Sequence, residues 1–156
     1  LYRARDDIMA ALHTHTTAGM AVSSLECGLL PLTQTAHRFI TRLAYHDFNG
    51  PEREISERDN IARHLGSQNH MILRNHGLLT VGPSVPEAFS AMHGLERACQ
   101  AQVAAMACNT ALNTLPQEVV DKSVAMYAPS ATRTYGHKEW PALLRLLDRT
   151  DPSYRT

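Results

Sequence analysis

No apolar run in this chain approaches the roughly 20 residues that carry a helix across a bilayer, and nothing at its start has the charged, apolar and small-residue succession of a secretory signal. Membrane insertion is therefore not expected, and the chain reads as cytoplasmic. An excess of charge is lacking too: fifteen Lys and Arg offset fifteen Asp and Glu, a formal net charge of zero over 156 residues. Without a basic field there is no electrostatic footprint for nucleic acid or an anionic membrane surface. Small neutral or anionic ligands remain as partners. Cysteine is scarce: Cys27, Cys99 and Cys108 form neither a CxxC pair nor an even framework. Mostly buried free thiols in a reducing compartment are expected, with Cys99 and Cys108 as filler on a helix stripe.

Several chemistries are missing by motif. The glycines never fall into GxGxxG or GxxxxGK[ST], so no nucleotide-phosphate cradle is signalled, and GxSxG is absent. No context singles out a cysteine nucleophile. The paired acids Asp6-Asp7 and Glu52/Glu54 fall in polar segments and read as surface charge.

At 17.3 kDa the chain has the length of one domain with a proper core. It opens on "LYRARDD" without a methionine, which fits the trimmed remainder of something longer. "IMAALHTH" (8 to 15) is short and apolar enough to be a buried strand, and the Gly- and Pro-broken "TTAGMAVSSLECGLLP" reads as a short helix and a loop. In "LTQTAHRFITRL", Ala36, Phe39, Ile40 and Leu43 repeat at three and four, which predicts an amphipathic helix packed on a sheet. "AYHDF" reads as a second strand ending at "NGP", and "ISERDNIARHL" as a helix capped by Ser56 with Ile61 and Leu65 inward. Two further strands, Met71 to Leu73 and Leu78 to Val81, flank the polar trio Arg74-Asn75-His76. The clearest helix starts at Ser84, which forms a capping box with Glu87. Phe89, Met92, Leu95, Cys99, Val103 and Met106 form its stripe as far as about residue 108. Thr114 and Gln117 predict another box, and a last helix begins near Trp140 with Leu143, Leu144 and Leu147. Strands interleaved with helices imply a layered α/β domain. The apolar positions along the long helix exceed what one sheet face would cover, which implies a homo-oligomer.

Nine histidines stand out against this background. On a strand, side chains two apart share a face, so His13 and His15 project together. A zinc site open to substrate needs a third ligand. His76 is the candidate, at the end of an apolar strand beside a glycine that permits close backbone approach. Neutral imidazoles suit Zn²⁺, with Fe²⁺, Co²⁺ or Mn²⁺ less firmly excluded. The alternative is a pair of hydrogen-bonded histidines near a strand end. The remaining six read as solvated or locally bonded, with His37 and His64 on polar helix faces, His46 and His70 flanking strands, His93 on the long helix and His137 in a loop.

"HTHTTAGMAVS", then "RNHGLLTVGPSVPEAF" and a long Ala-rich helix, resemble the class II aldolase/adducin family, whose metal-dependent enzymes carry an HxH pair and a later NHG or QHG histidine. "LPLTQTAHRF", "LAYHDFNGP" and "EWPALLRLLDRTDPSYR" are similar to its bacterial adducin-like branch, so the resemblance spans nearly the whole chain. It implies that residues 1–156 form a single three-layer α/β/α domain around a mostly antiparallel sheet, lacking the family's N-terminal part. It implies a tetramer with active sites between subunits. It also implies a divalent-metal aldehyde-lyase or carboxy-lyase in carbohydrate metabolism, with His13, His15 and His76 holding zinc to stabilise an enediolate of a hydroxy-carbonyl or sugar-phosphate-like substrate. The family's acidic general acid/base and phosphate loop lie upstream of the HxH strand, before Leu1. A tyrosine that some aldolases lend to a neighbouring subunit would fall near Gln34 to His37, where there is none. Animal adducins keep the fold in a cytoskeletal role, so a non-catalytic binding or scaffold protein is the alternative.

Overall fold

The computed structural model describes residues 1–50, 55–128 and 134–155. Its centre is a four-stranded mixed sheet in the order β1-β4-β3-β2, built from β1 (Ala10–Thr14), β2 (Leu43–His46), β3 (His70–Leu73) and β4 (Gly77–Gly82). β4 runs antiparallel to both β1 and β3, and β2 runs parallel to β3. Because strand side chains alternate between faces, Ile72 and Leu78 join Val22, Phe39, Met92 and Leu95 in one core, under α1 (Thr17–Ser23), α2 (Gln34–His37) and α4 (Val85–Ala107). Met71, Leu73, Leu79 and Val81 face the other way and meet Ile61 and Leu65 of α3 (Ile55–Leu65) together with Ile8. The sheet is thus covered on both faces, as the α/β/α expectation requires. β4 is buried along its whole length. α5 (Gln117–Met126) and α6 (Trp140–Thr150) follow.

Several sequence expectations change. The helix read through residues 32 to 43 is a single turn, Gln34–His37, whose first N–H groups are served by Thr33 Oγ1 accepting from Ala36 N–H at 3.3 Å. The chain then tightens, with Phe39 N–H donating to Ala36 C=O at 2.9 Å and Arg42 N–H to Phe39 C=O at 2.7 Å. These three-residue turns bring it into β2 at Leu43, while Ala36 and Phe39 still fill the core. On α4 the buried face is Ala88, Ala91, Met92, Leu95, Ala98, Cys99 and Gln102. Met106, near the C-terminal end of α4, is exposed and Phe89 is half-buried. The Ser84 cap forms, with Oγ accepting from Glu87 N–H at 3.4 Å. The Thr114 box does not, since Pro116 takes the N-cap position of α5 without a side-chain bond. Cys99 is buried, but Cys27 and Cys108 are exposed, lying in a loop and at the solvated end of α4. The cap expected at Ser56 and the acids Glu52 and Glu54 lie outside the described side chains. No described helix is long and apolar enough to cross a membrane.

Candidate metal centre

The site is built at one end of the sheet. Antiparallel pairing of β1 with β4 sets His13 opposite Leu79 and Thr14 opposite Leu78, so the end of β1 lies beside the start of β4. His15 stands two residues beyond His13, on the same face and just past the strand. His76 closes the three-residue turn from β3 to β4, where Leu73 pairs with Gly77.

The turn is held in a defined shape. Asn75 adopts a left-handed conformation with φ 57°, which asparagine tolerates better than most residues. Its N–H donates to Ser23 C=O at 3.1 Å, and His76 N–H donates to Leu73 C=O at 3.1 Å and to Ser23 Oγ at 3.2 Å. Ser23, buried at the end of α1, therefore fixes where the His76 ring is presented. Gly77 completes the arrangement, because a Cβ there would run into the Thr14 carbonyl oxygen.

The three rings converge pairwise, with centroids 4.6 Å apart for His13 and His15, 4.8 Å for His13 and His76, and 4.6 Å for His15 and His76. One ligand atom from each lies within 4.8 Å of the others, and this is the only metal-capable His, Cys, Asp or Glu group of three or more among the described residues. His13 Nδ1 lies 2.8 Å from the Leu78 carbonyl oxygen. A carbonyl can only accept, so Nδ1 carries the proton and Nε2 keeps its lone pair. That Nε2 lies 2.7 Å from His15 Nε2. Nitrogen ligands of a divalent metal lie about 3.3 Å apart, a spacing between that 2.7 Å and the 4.8 Å within which the three ligand atoms lie. The donor set, three imidazoles with one tautomer fixed by a backbone carbonyl, fits a divalent metal. Phe48 borders the site, its ring centroid 6.1 Å from that of His76, and an open depression lined by Ser23, Asp47, Phe48 and Asn75 adjoins it.

The trio Arg74-Asn75-His76 divides by role. Arg74 turns away to stack over Tyr45 at 4.4 Å and to donate to Leu25 C=O at 2.7 Å, so it braces the loop after α1. The histidines outside the cluster also divide. His37, expected on a polar face, is buried between Ser123 Oγ at 2.7 Å and Pro31 C=O at 3.2 Å, because the shortened α2 turns it beneath α5. His46 is buried as well, bonded to Glu57 Oε1 at 2.6 Å and to His64 Nδ1 at 2.7 Å. Sequence spacing carries no signal for this network, since β2 and α3 meet only in the fold.

The sequence profile described as "Class II Aldolase and Adducin N-terminal domain" matches residues 1–103. The chain belongs to the class II aldolase and adducin family. A solved aldolase II superfamily protein from Pseudomonas syringae is 42% identical, with a TM-score of 0.92 over 99% of this chain and 62% of that one. An L-fuculose 1-phosphate aldolase from Glaciozyma antarctica aligns with a TM-score of 0.67 and 30% identity, covering 80% of this chain and 47% of that one. Beta-adducin of Rattus norvegicus is 36% identical over 99% of this chain and 23% of its own length. The chain spans about three fifths of the length of the bacterial relatives it matches.

Proposed function

We propose that the chain carries the metal centre of a cytoplasmic divalent-metal lyase of the class II aldolase type, with His13, His15 and His76 holding Zn²⁺. The carrying observation is the convergence of three imidazoles with the His13 Nδ1 proton committed to the Leu78 carbonyl at 2.8 Å. A divalent ion bound there supplies Lewis-acid stabilisation to the enediolate of a hydroxy-carbonyl or sugar-phosphate-like substrate. The chain's own part is to aim the nitrogens: the end of β1 presents His13 and the residue just past it, His15, on one face, the Asn75 turn presents the third, and Phe48 borders His76.

The likeness to an L-fuculose 1-phosphate aldolase supports aldol cleavage among the lyase reactions. Homo-oligomeric assembly, as a tetramer, belongs to the same reading. It is supported by Leu143, Leu146 and Leu147 of α6, which stay 39%, 51% and 39% exposed, and light scattering that returns a monodisperse monomer at micromolar concentration refutes it.

Metal analysis of the purified protein tests the centre. One equivalent of a divalent transition metal is expected, lost in His76→Ala with the fold retained, and kept in His93→Ala, whose exposed ring on α4 is outside the cluster. Absence of bound metal, with no gain in activity on adding Zn²⁺ or Mn²⁺, removes the proposal. The 36% identity to beta-adducin supports a second reading, a binding protein that keeps the fold without turnover. Tight metal binding without aldol cleavage of any hydroxy-carbonyl phosphate would favour that reading.

A further inference from the structure

The end of the sheet away from the His13, His15 and His76 cluster also holds a cleft, of about 390 Å³. Along β4 it is separated from the His76 turn by the strand from Gly77 to Gly82, roughly 17 Å at the usual rise per residue. Val81, Gly82 and Ala91 line it on the apolar side, and Arg38, His70 and Tyr135 on the polar side.

The polar side has unspent capacity. The Arg38 guanidinium lies over the Tyr135 ring, 3.9 Å from its centroid. Its Nη1 is occupied by Ser90, at 3.3 Å from the carbonyl and 3.4 Å from Oγ. Nε and Nη2 make no hydrogen bond to any described residue. Burial lowers the pKa of this cation, and a desolvated guanidinium gains most from a bidentate oxyanion. The Tyr135 hydroxyl is buried and has no hydrogen-bonding partner among the described residues, a vacancy that folded proteins rarely leave. Arg42 adds charge, although its Nη1 is committed to the Arg38 and Tyr127 carbonyls at 3.3 and 2.8 Å. His70 donates to the Arg42 carbonyl through Nδ1 at 3.2 Å, and so keeps Nε2 as an acceptor for a ligand hydroxyl. The acid in the lining, Glu87, is bonded to His137 Nε2 at 2.9 Å and to Ser84 Oγ at 3.3 Å. Glu139 also acts on Arg38 through its charge, so the cleft is a selective site rather than a strong anion sink.

We propose that this cleft is a second small-molecule site, independent of the metal centre, that takes a small hydroxylated oxyanion with its phosphate or carboxylate held by Arg38 and Tyr135. Inorganic phosphate and citrate, titrated separately into the full chain by calorimetry at fixed ionic strength, test it, and the tighter of the two identifies the head group. Saturable binding with one equivalent is expected. Tyr135→Phe should weaken it about tenfold, the loss of one hydrogen bond to a charged group. Its thermal midpoint should not fall, because that hydroxyl has no hydrogen-bonding partner among the described residues. A merely structural tyrosine would show the opposite pattern. Arg38→Gln should weaken binding further, and Tyr135→Phe decides alone if that variant does not fold. The His13→Ala, His76→Ala double variant should bind as the parent does. Failure of both anions to saturate in the millimolar range overturns the proposal, as does indifference to Tyr135→Phe or loss of binding in the histidine variant.

Discussion

At the scale of the residue, Gly77 sets how near the β4 backbone comes to β1, and with it the spacing of the histidines. Any side chain there meets the Thr14 carbonyl oxygen, which is backbone and cannot swing aside. Gly77→Ala should therefore cost about 1–3 kcal/mol, the range for overpacking a tight site, and should weaken metal binding by moving His15 and His76 apart. Denaturant unfolding with parallel metal titration checks both, and an unchanged affinity would mean that the turn positions His76 without Gly77. How much of this is legible in sequence depends on distance along the chain. His13 and His15 are related by a two-residue period, and His76 is marked by its glycine and by flanking apolar runs, so all three stand out as candidates. Ser23, whose carbonyl and hydroxyl hold the turn, sits 53 residues from His76 and carries no local sign of that role. The Arg38, His70 and Tyr135 cleft is invisible for the same reason.

At the scale of the element, the long helix α4 is legible because its cap and period are local, whereas the rotation that chooses its buried face is not. Alanines at 88, 91 and 98 are buried on α4 while the larger Phe89 stays at the edge, ring to ring with Trp140 at 5.4 Å. Hydrophobic size alone would choose otherwise, since small residues share the buried face with Met92, Leu95 and Cys99. Gln102 shows the same limit. Although polar, it is 1% exposed, and its amide closes the loop after α1 by accepting from Leu30 N–H and donating to Gly28 C=O, each at 2.7 Å. Gln102→Leu keeps the volume and strands both backbone groups, so a loss of roughly 2–4 kcal/mol is expected. A urea midpoint equal to the parent's would show that water replaces the amide. The helix read across residues 32 to 43 fails at this scale too, since a three-and-four pattern is met equally by one helical turn followed by tight turns, and the entry into β2 decides between them.

At the scale of the whole molecule, acid should act on stability and on metal together, and the two can be separated through His70. Its ring packs edge-on against Phe39 at 5.0 Å. Burial pushes its pKa down to about 4, opposed by the hydrogen bond to the Arg42 carbonyl and helped by the charges of Arg38 and Arg42. An exposed imidazole in the unfolded chain titrates near 6.5. Between about 6.5 and 4 the unfolded chain therefore takes up a proton that the folded one refuses, and stability must fall as pH falls through that window. Above 6.5 the contribution is whole, and below about 4 the loss is complete. Glu57, held below the usual carboxylate range by its hydrogen bond to His46, gives stability that persists above 4.5 and is lost only in stronger acid, so it does not contribute between pH 6.5 and 5. At the proposed centre metal release would add to the effect, since a ligating imidazole must be neutral, and chelator-treated protein removes that contribution. Urea unfolding of metal-free parent and His70→Gln at pH 7 and pH 5 should then show a smaller acid loss in the variant, whose side chain cannot take up a proton. Equal losses would mean that His70 charges in place, with the cleft around it open enough to solvate the imidazolium.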